Sequence, residues 1–369
     1  MSHRRSLTFL EIIAVVMLAA CDSSNISTGL KSPSAASELL KMDRERELTF
    51  MTYNVYQGTE LENSTRATTP EEFVAGATED FAMMRQTNFA ERAVAIAAEV
   101  AANQPDIIGL EEVALWRTGT HTTPAQPALT VDQDFLQILL DALAARGLRY
   151  ATVATVNNFD VQGPAFVSGV FEDVRLTDRN VILARQGDLD RNLKVSNPRS
   201  NNYATNLVIQ TVGGPVTVLE GWASIDIKMR GRSVRFITTH LDAFVPAIRL
   251  AQANELLTGP AITDLPVVLA GDLNTSTTTT TYAALTGAGF VDVWAQLHPV
   301  DPGFTCCEVL PEIVNPEPTL SERIDFMLFR GALNPERVLI VGATSATRGP
   351  SGLWPSDHAG LVAVFAQEK

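Results

Sequence analysis

Cysteine is nearly missing from this sequence: there are three in 369 residues, at positions 21, 306 and 307. Three thiols cannot build a disulfide framework, so a small cross-linked secreted fold is excluded. No Cys/His spacing of the zinc type occurs either. Positive charge is short as well, 28 Lys and Arg against 42 Asp and Glu, for a formal net charge of −14. A chain whose main business was gripping polyanions would carry a basic surface, so the deficit disfavours a dedicated nucleic-acid binder, although a local basic patch can sit on an acidic protein. There is no glycine-rich phosphate loop, no internal repeat, and beyond the N-terminus no apolar run long enough to cross a bilayer.

What is present points to a large packed core, since 46% of the chain is hydrophobic and only 19% charged. The length suits two ordinary domains or one large α/β unit. The first residues read as a targeting segment. His3, Arg4 and Arg5 precede an apolar stretch from Leu7 to Ala20 that is too short to span a membrane. It closes on Leu18-Ala19-Ala20-Cys21, which resembles the lipobox of bacterial lipoproteins, where the Cys is lipidated and becomes the new N-terminus; Glu11 departs from that pattern. The expectation is a lipoprotein signal peptide at 1–20, a flexible Ser- and Lys-rich tether at 21–45, and a folded domain at 46–369. The bland alternative is an ordinary secretory signal followed by a chance Cys. Cys306 and Cys307 are adjacent, and either bridge to each other or stand as two buried thiols; an oxidising location favours the bridge slightly.

One stretch organises the remainder. Val267, Val268, Leu269 and Ala270 form an unbroken apolar run, the pattern of a strand buried on both faces, which Gly271 ends before Asp272 and Asn274. Residues two apart on an extended chain point the same way, so a carboxylate and a carboxamide leave the strand end together. Alone, this reads as an Asx turn. Other apolar strands end alike. Leu48–Val55 delivers Asn54, Asp106–Val113 ends in Glu111 and Glu112, and the second arm of a hairpin from Trp222 delivers His240. Arg323–Phe329 carries Asp325, and Asp357 and His358 precede the last strand, Ala359–Phe365. Helices are expected at 88–103 with Asn88 as cap, at 135–145 and at 248–257, and further strands near 150–156, 166–174 and 180–184. The long segment from Gln57 to Gln86 reads as an insertion whose Phe73, Phe81, Met83 and Met84 either cover the core or line a substrate wall as a flap. Buried carboxylates are costly unless they pair or hold a metal, so six polar strand ends imply a shared site.

These stretches, in this order, resemble the endonuclease/exonuclease/phosphatase superfamily, which includes pancreatic-type deoxyribonucleases, apurinic endonucleases, bacterial sphingomyelinases and inositol polyphosphate phosphatases. The likeness spans about Leu48 to Phe365. Each motif is weak singly; six in order are strong. The resemblance implies a four-layer α/β sandwich, two mixed β-sheets packed face to face and flanked by helices. By position, Glu112 would hold a divalent cation, Mg²⁺ with Mn²⁺ or Ca²⁺ as alternatives, with Asn54 beside it and Asp357 in support. Asp272 would orient or deprotonate the attacking water, with Asn274 holding water and phosphate. Asp325 would keep His358 oriented and charged, and His240 would donate to a phosphoryl oxygen. Arg179 is a substrate-contact candidate, at even odds with a surface ion pair. Glu111 departs from the Gln common in relatives and would add negative charge near the metal. The implied protein is a Mg-dependent phosphoric ester hydrolase, a monomer anchored to the bacterial envelope through lipid on Cys21. A small or lipid phosphoester is favoured over nucleic acid. The alternatives are a surface nuclease acting on DNA and a binding protein that kept the fold without the chemistry.

Overall fold

The computed structural model describes residues 47–187, 193–229, 231–308, 310 and 313–366. The signal peptide and tether expected at 1–45, Cys21 included, lie outside the described residues. In chain order the first strands and helices are β1 (Glu47–Asn54), α1 (Glu62–Thr65), α2 (Pro70–Gln86), α3 (Phe89–Asn103) and β2 (Ile107–Glu111). Next come β3 (Leu115–Thr120), β4 (Thr130–Asp134), α4 (Phe135–Ala145), β5 (Tyr150–Val167), β6 (Val170–Arg185) and β7 (Lys194–Asn202). A small ribbon, β8 (Leu207–Thr211) and β9 (Gly214–Val218), precedes β10 (Gly221–Met229), β11 (Arg232–His240), α5 (Pro246–Thr258) and β12 (Val267–Asp272). The chain closes with α6 (Thr280–Gly287), β13 (Val291–Asp292), α7 (Val293–Leu297), β14 (Asp325–Arg330), β15 (Asn334–Val341) and β16 (Gly360–Ala366).

Two mixed sheets form the centre. An eight-stranded sheet runs β15-β16-β1-β2-β6-β3-β4 with β5 added on β6, and a six-stranded sheet runs β13-β14-β12-β11-β10-β7. The β1–β2 and β11–β12 pairs are parallel and the others antiparallel. The period of two along each strand sorts the apolar residues into layers. Phe50, Ile107, Phe236, Val268 and Phe365 meet between the sheets, where the Phe50 and Phe236 rings stack at 5.4 Å. Met51, Ile108 and Leu110 face α2, α3 and α4 instead, while Ile237 and Leu269 face α5 and α6. Helix, sheet, sheet, helix is the expected four-layer sandwich, and burial on both sides explains why β12 reads as an unbroken apolar run.

Three expectations give way. The stretch near 166–174 is not a strand of its own, because Ser168 and Gly169 take positive φ and turn the chain between the long strands β5 and β6. Asn88 sits at the start of α3 in left-handed backbone and makes no side-chain cap. The Gln57–Gln86 segment is largely helical rather than a flap. Thr69 caps α2 by accepting from the Glu72 N–H, and Phe81 and Met84 are 2% and 0% exposed in the core. Burying side chains of that size contributes about 1.5–3 kcal/mol each, which ties the segment to the sheet, and Phe73 packs half-buried against the same core. Arg92, fully buried on α3, donates to the carbonyls of Val55, Tyr56, Thr87 and Pro355.

Candidate active site

The register of the second sheet sets the first half of the site. His240 pairs with Asp272 and Asp272 with Asp325, so three adjacent strands end level. Gly271 makes this fit, since a Cβ there would stand 1.9 Å from the Thr239 carbonyl oxygen. Asp272 is buried and its Oδ2 is the hub. It lies 3.1 Å from Asn54 Nδ2, 3.5 Å from His240 Nε2 and 3.8 Å from His358 Nε2. Its other oxygen accepts from the Asn274 backbone N–H, the turn expected after the strand. The Asn274 amide donates to the Leu241 carbonyl, and its nitrogen lies 2.9 Å from His240 Nε2.

The first sheet supplies the other half through irregular backbone. Glu112 follows β2 with φ +57, half-buried, and its carboxylate accepts from Asn54 Nδ2 at 2.9 Å and from the Gln57 N–H at 2.8 Å. Asn54 therefore enters as a donor bridging Glu112 and Asp272, with its oxygen already accepting from the Tyr56 N–H. Ser356 donates to the Asn54 carbonyl and holds the Asp357–His358 turn against β1. The loop bearing the Cys306–Cys307 bridge braces the same turn, with the Glu308 and Ala359 N–H groups reaching the Asp357 and Thr305 carbonyls.

Charge in this enclosure is tightly matched. His358 Nδ1 lies 2.9 Å from Asp325 Oδ2. Burial alone would lower the imidazole, but Asp325, Asp357 and Asp272 more than offset it and hold the ring well above its ordinary range. Burial likewise opposes charge on His240, and Glu220, Asp272, Glu112 and Asp178 push it up to about 10. Desolvation raises Asp357 to about 6, aided by the nearby charge of Glu112. Glu112 and Asp357 feel each other's charge, and their hard carboxylate oxygens are the ligand type that a divalent cation of the Mg²⁺ kind takes.

Two expected roles are corrected. Arg179 does not face this centre. Its guanidinium donates through Nε and Nη2 to the Val113 and Ala114 carbonyls and to Asp134, which ties it to the segment that carries the chain away from Glu112. Glu111 adds no charge beside Glu112, because successive residues on an extended chain point to opposite faces. It is 0% exposed between the sheets, accepts from the Thr238 and Thr52 hydroxyls, and is raised to about 8 by desolvation, hence neutral at pH 7. Sequence reasoning also missed Asp178 and Glu220, buried carboxylates behind His240. The one available signal for Asp178 was its place beside Arg179 and Asn180 at a strand already flagged.

Residues 51–358 match the family model described as the endonuclease/exonuclease/phosphatase family. Among solved structures, an endonuclease/exonuclease/phosphatase family protein from Bacteroides thetaiotaomicron is 16% identical, with 88% of this chain and 98% of that one covered and a TM-score of 0.55. A humanized D. rerio TDP2 is 17% identical over 87% of this chain and 100% of its own, with a TM-score of 0.52. A mannosyl-6-phosphatase from Bacteroides thetaiotaomicron is 17% identical over 87% and 100%, with a TM-score of 0.50. No curated protein matches the chain. At these identities the structures share the fold.

Proposed function

The chain belongs to the endonuclease/exonuclease/phosphatase family, and from that premise we propose that it is a divalent-metal-dependent phosphoester hydrolase of the bacterial cell envelope, acting on a small or lipid phosphoester. The observation that carries this reading is the Asp272 hub, a buried carboxylate between two imidazoles with Glu112 across Asn54. Asp272 accepts the proton of an attacking water, and the Asn274 side chain orients that water and the phosphoryl oxygens. His358, kept cationic and fixed by Asp325, faces the charge that builds on those oxygens, and His240 adds a second donor. Glu112 and Asp357 would hold the cation, which when bound neutralises phosphoryl charge. Asn54 keeps Glu112 aimed at it. Because phosphoryl transfer needs positioning and charge neutralisation more than covalent help, this set suffices without a protein nucleophile.

The net charge of −14 and the lipobox-like Cys21 favour a small or membrane-borne substrate over long nucleic acid. A nuclease reading has one support: D. rerio TDP2 has been solved with a single-strand DNA product. EDTA-dialysed protein, assayed with and without Mg²⁺, separates these. The expected result is Mg²⁺-dependent hydrolysis of bis-p-nitrophenyl phosphate and of sphingomyelin or phosphatidylinositol, with plasmid DNA left intact. Preferential nicking of the plasmid would favour the nuclease, and no turnover on any substrate would leave a binding protein. Cys21→Ser is expected to release the protein from membranes at unchanged specific activity.

A further inference from the structure

Behind His240, on the side away from Asp272, lies a second group of ligand-type atoms that the proposed chemistry does not use. Asp178, Glu220 and His240 each offer one atom, and these lie within 4.8 Å of one another. All three residues are at least nine-tenths buried. Asp178 Oδ1, Glu220 Oε2 and His240 Nδ1 have no hydrogen-bond partner among the described residues. The other Asp178 oxygen is taken by the Asn158 amide, so the free one is fixed in place. Arg179, the neighbouring cation in sequence, is bound elsewhere.

Two buried carboxylates share a single imidazole here, so at most one of them finds a compensating charge, and none of the three free atoms is hydrogen-bonded among the described residues, which is expensive in a dry interior. A proton alone compensates poorly in this geometry. An Nδ1–H facing Glu220 would close to an ordinary charge-assisted bond of about 2.7–2.9 Å, yet the pair stands 3.9 Å apart. Bonds of about 2.0–2.2 Å to a common ion place two tetrahedral ligands roughly 3.3–3.6 Å from each other, so a closure of a few tenths of an ångström would seat an ion between them.

We propose that Asp178, Glu220 and His240 Nδ1 form a buried divalent-cation site, separate from the one at Glu112 and Asp357. The imidazole nitrogen in the donor set selects Zn²⁺ over Mg²⁺ and Ca²⁺, which prefer all-oxygen ligands, and Mn²⁺ serves as its paramagnetic stand-in. The site also has a consequence for the ring. With Nδ1 on a cation, the imidazole is neutral and its one proton resides on Nε2, which lies 2.9 Å from the Asn274 amide nitrogen and 3.5 Å from Asp272 Oδ2. His240 then stays a donor on the side that faces Asp272, with its tautomer fixed.

The test counts metal and does not depend on turnover, so it stands apart from the phosphoesterase reading. Full-length protein stripped with EDTA is titrated with Zn²⁺ or Mn²⁺ by calorimetry, and retained metal is counted after dialysis. In a Glu112→Gln background one ion is expected to remain and to raise the melting temperature. Adding Glu220→Gln should weaken it about 100-fold or more, and Asp178→Asn should do the same. With Mn²⁺ bound in that background, pulsed electron paramagnetic resonance should show a directly coordinated nitrogen. Parental affinity in both carboxamide variants overturns the site, as does loss of all binding in Glu112→Gln or an all-oxygen Mn²⁺ signal. Melting curves of the metal-free variants identify any that fail to fold, and the other carboxamide variant then carries the result.

Discussion

The two sheets build their halves of the centre by different means. In the six-stranded sheet the ladder does the positioning: His240, Asp272 and Asp325 are paired residues on three neighbouring strands, so their spacing follows from backbone register. In the eight-stranded sheet the chain leaves regular geometry before it reaches the site. Glu112 takes a positive φ and is held by the Asn54 amide and the Gln57 N–H, while Asp357 hangs on a turn pinned by Ser356. A group held by register keeps its place when a neighbouring side chain changes. A group held by a few polar contacts moves when one is lost.

This contrast yields a division of phenotypes. Asp272→Asn should lower kcat by about 10³-fold or more at any Mg²⁺ concentration, since a carboxamide cannot take the water's proton. Glu112→Gln should instead raise the Mg²⁺ needed for half-maximal rate at least about tenfold, with much of kcat returning at saturation. Rescue of Asp272→Asn by added metal would dissolve the distinction.

A substitution aimed at the ladder should be the most damaging to stability. At Gly271, where a Cβ would meet the Thr239 oxygen at 1.9 Å and φ is +139°, Gly271→Ala is expected to cost about 3 kcal/mol or more, read from urea unfolding. A midpoint near that of the parent would mean the register has slack.

Glu111 and Glu112, adjacent in sequence, sharpen the comparison through pH. Desolvation raises Glu111 to about 8 in the folded state, against an ordinary 4.5. Its contribution to stability is therefore complete below about pH 4.5 and is lost as pH rises through about 8, at about 1.4 kcal/mol per pH unit between. Glu111→Gln should abolish that share of the slope and leave the variant relatively more stable at pH 8 than at pH 5. Parallel stability curves for variant and parent would show that Glu111 is charged when folded.

The smallest effect on catalysis is expected at Arg179. Because its guanidinium is tied to Val113, Ala114 and Asp134, Arg179→Met should change KM less than about twofold while costing about 1–3 kcal/mol of stability. A tenfold rise in KM with unchanged melting would return Arg179 to the substrate.

The same contrast explains what could be read from the sequence. Asp272, His240 and Asp325 were legible because each sits at one end of an apolar run, and such runs announce strands buried on both faces. Asn54 and Glu112 were found the same way, but the opposed directions of Glu111 and Glu112 were lost once the two were read as a pair, although the period of two was there to separate them. Glu220 follows the short run Val216-Thr217-Val218-Leu219, which was not read as a strand, and its meeting with Asp178 is a contact made by folding alone. Helix α2 was missed for a different reason. Its start, Thr69-Pro70-Glu71-Glu72, carries the cap, the proline and the acidic first turn of a helix, but the polar look of the segment outweighed them.

Arg92 shows what such wiring implies for how the sequence can drift. Its guanidinium joins the stretch just after Asn54 to the one just before Ser356, with 263 positions between Arg92 and Pro355. No other single side chain matches that fork. Lysine offers one point of attachment where four carbonyls wait, and an apolar residue strands them all. Replacement would have to be answered at once by changes in two distant loops, a path that single mutations cannot walk without passing through a damaged protein. The outer face of the same helix, where Val94 is 52% exposed, is free to wander. Within one turn of α3, then, a frozen position lies beside open ones, and the line between them is drawn by carbonyl oxygens that belong to other parts of the chain.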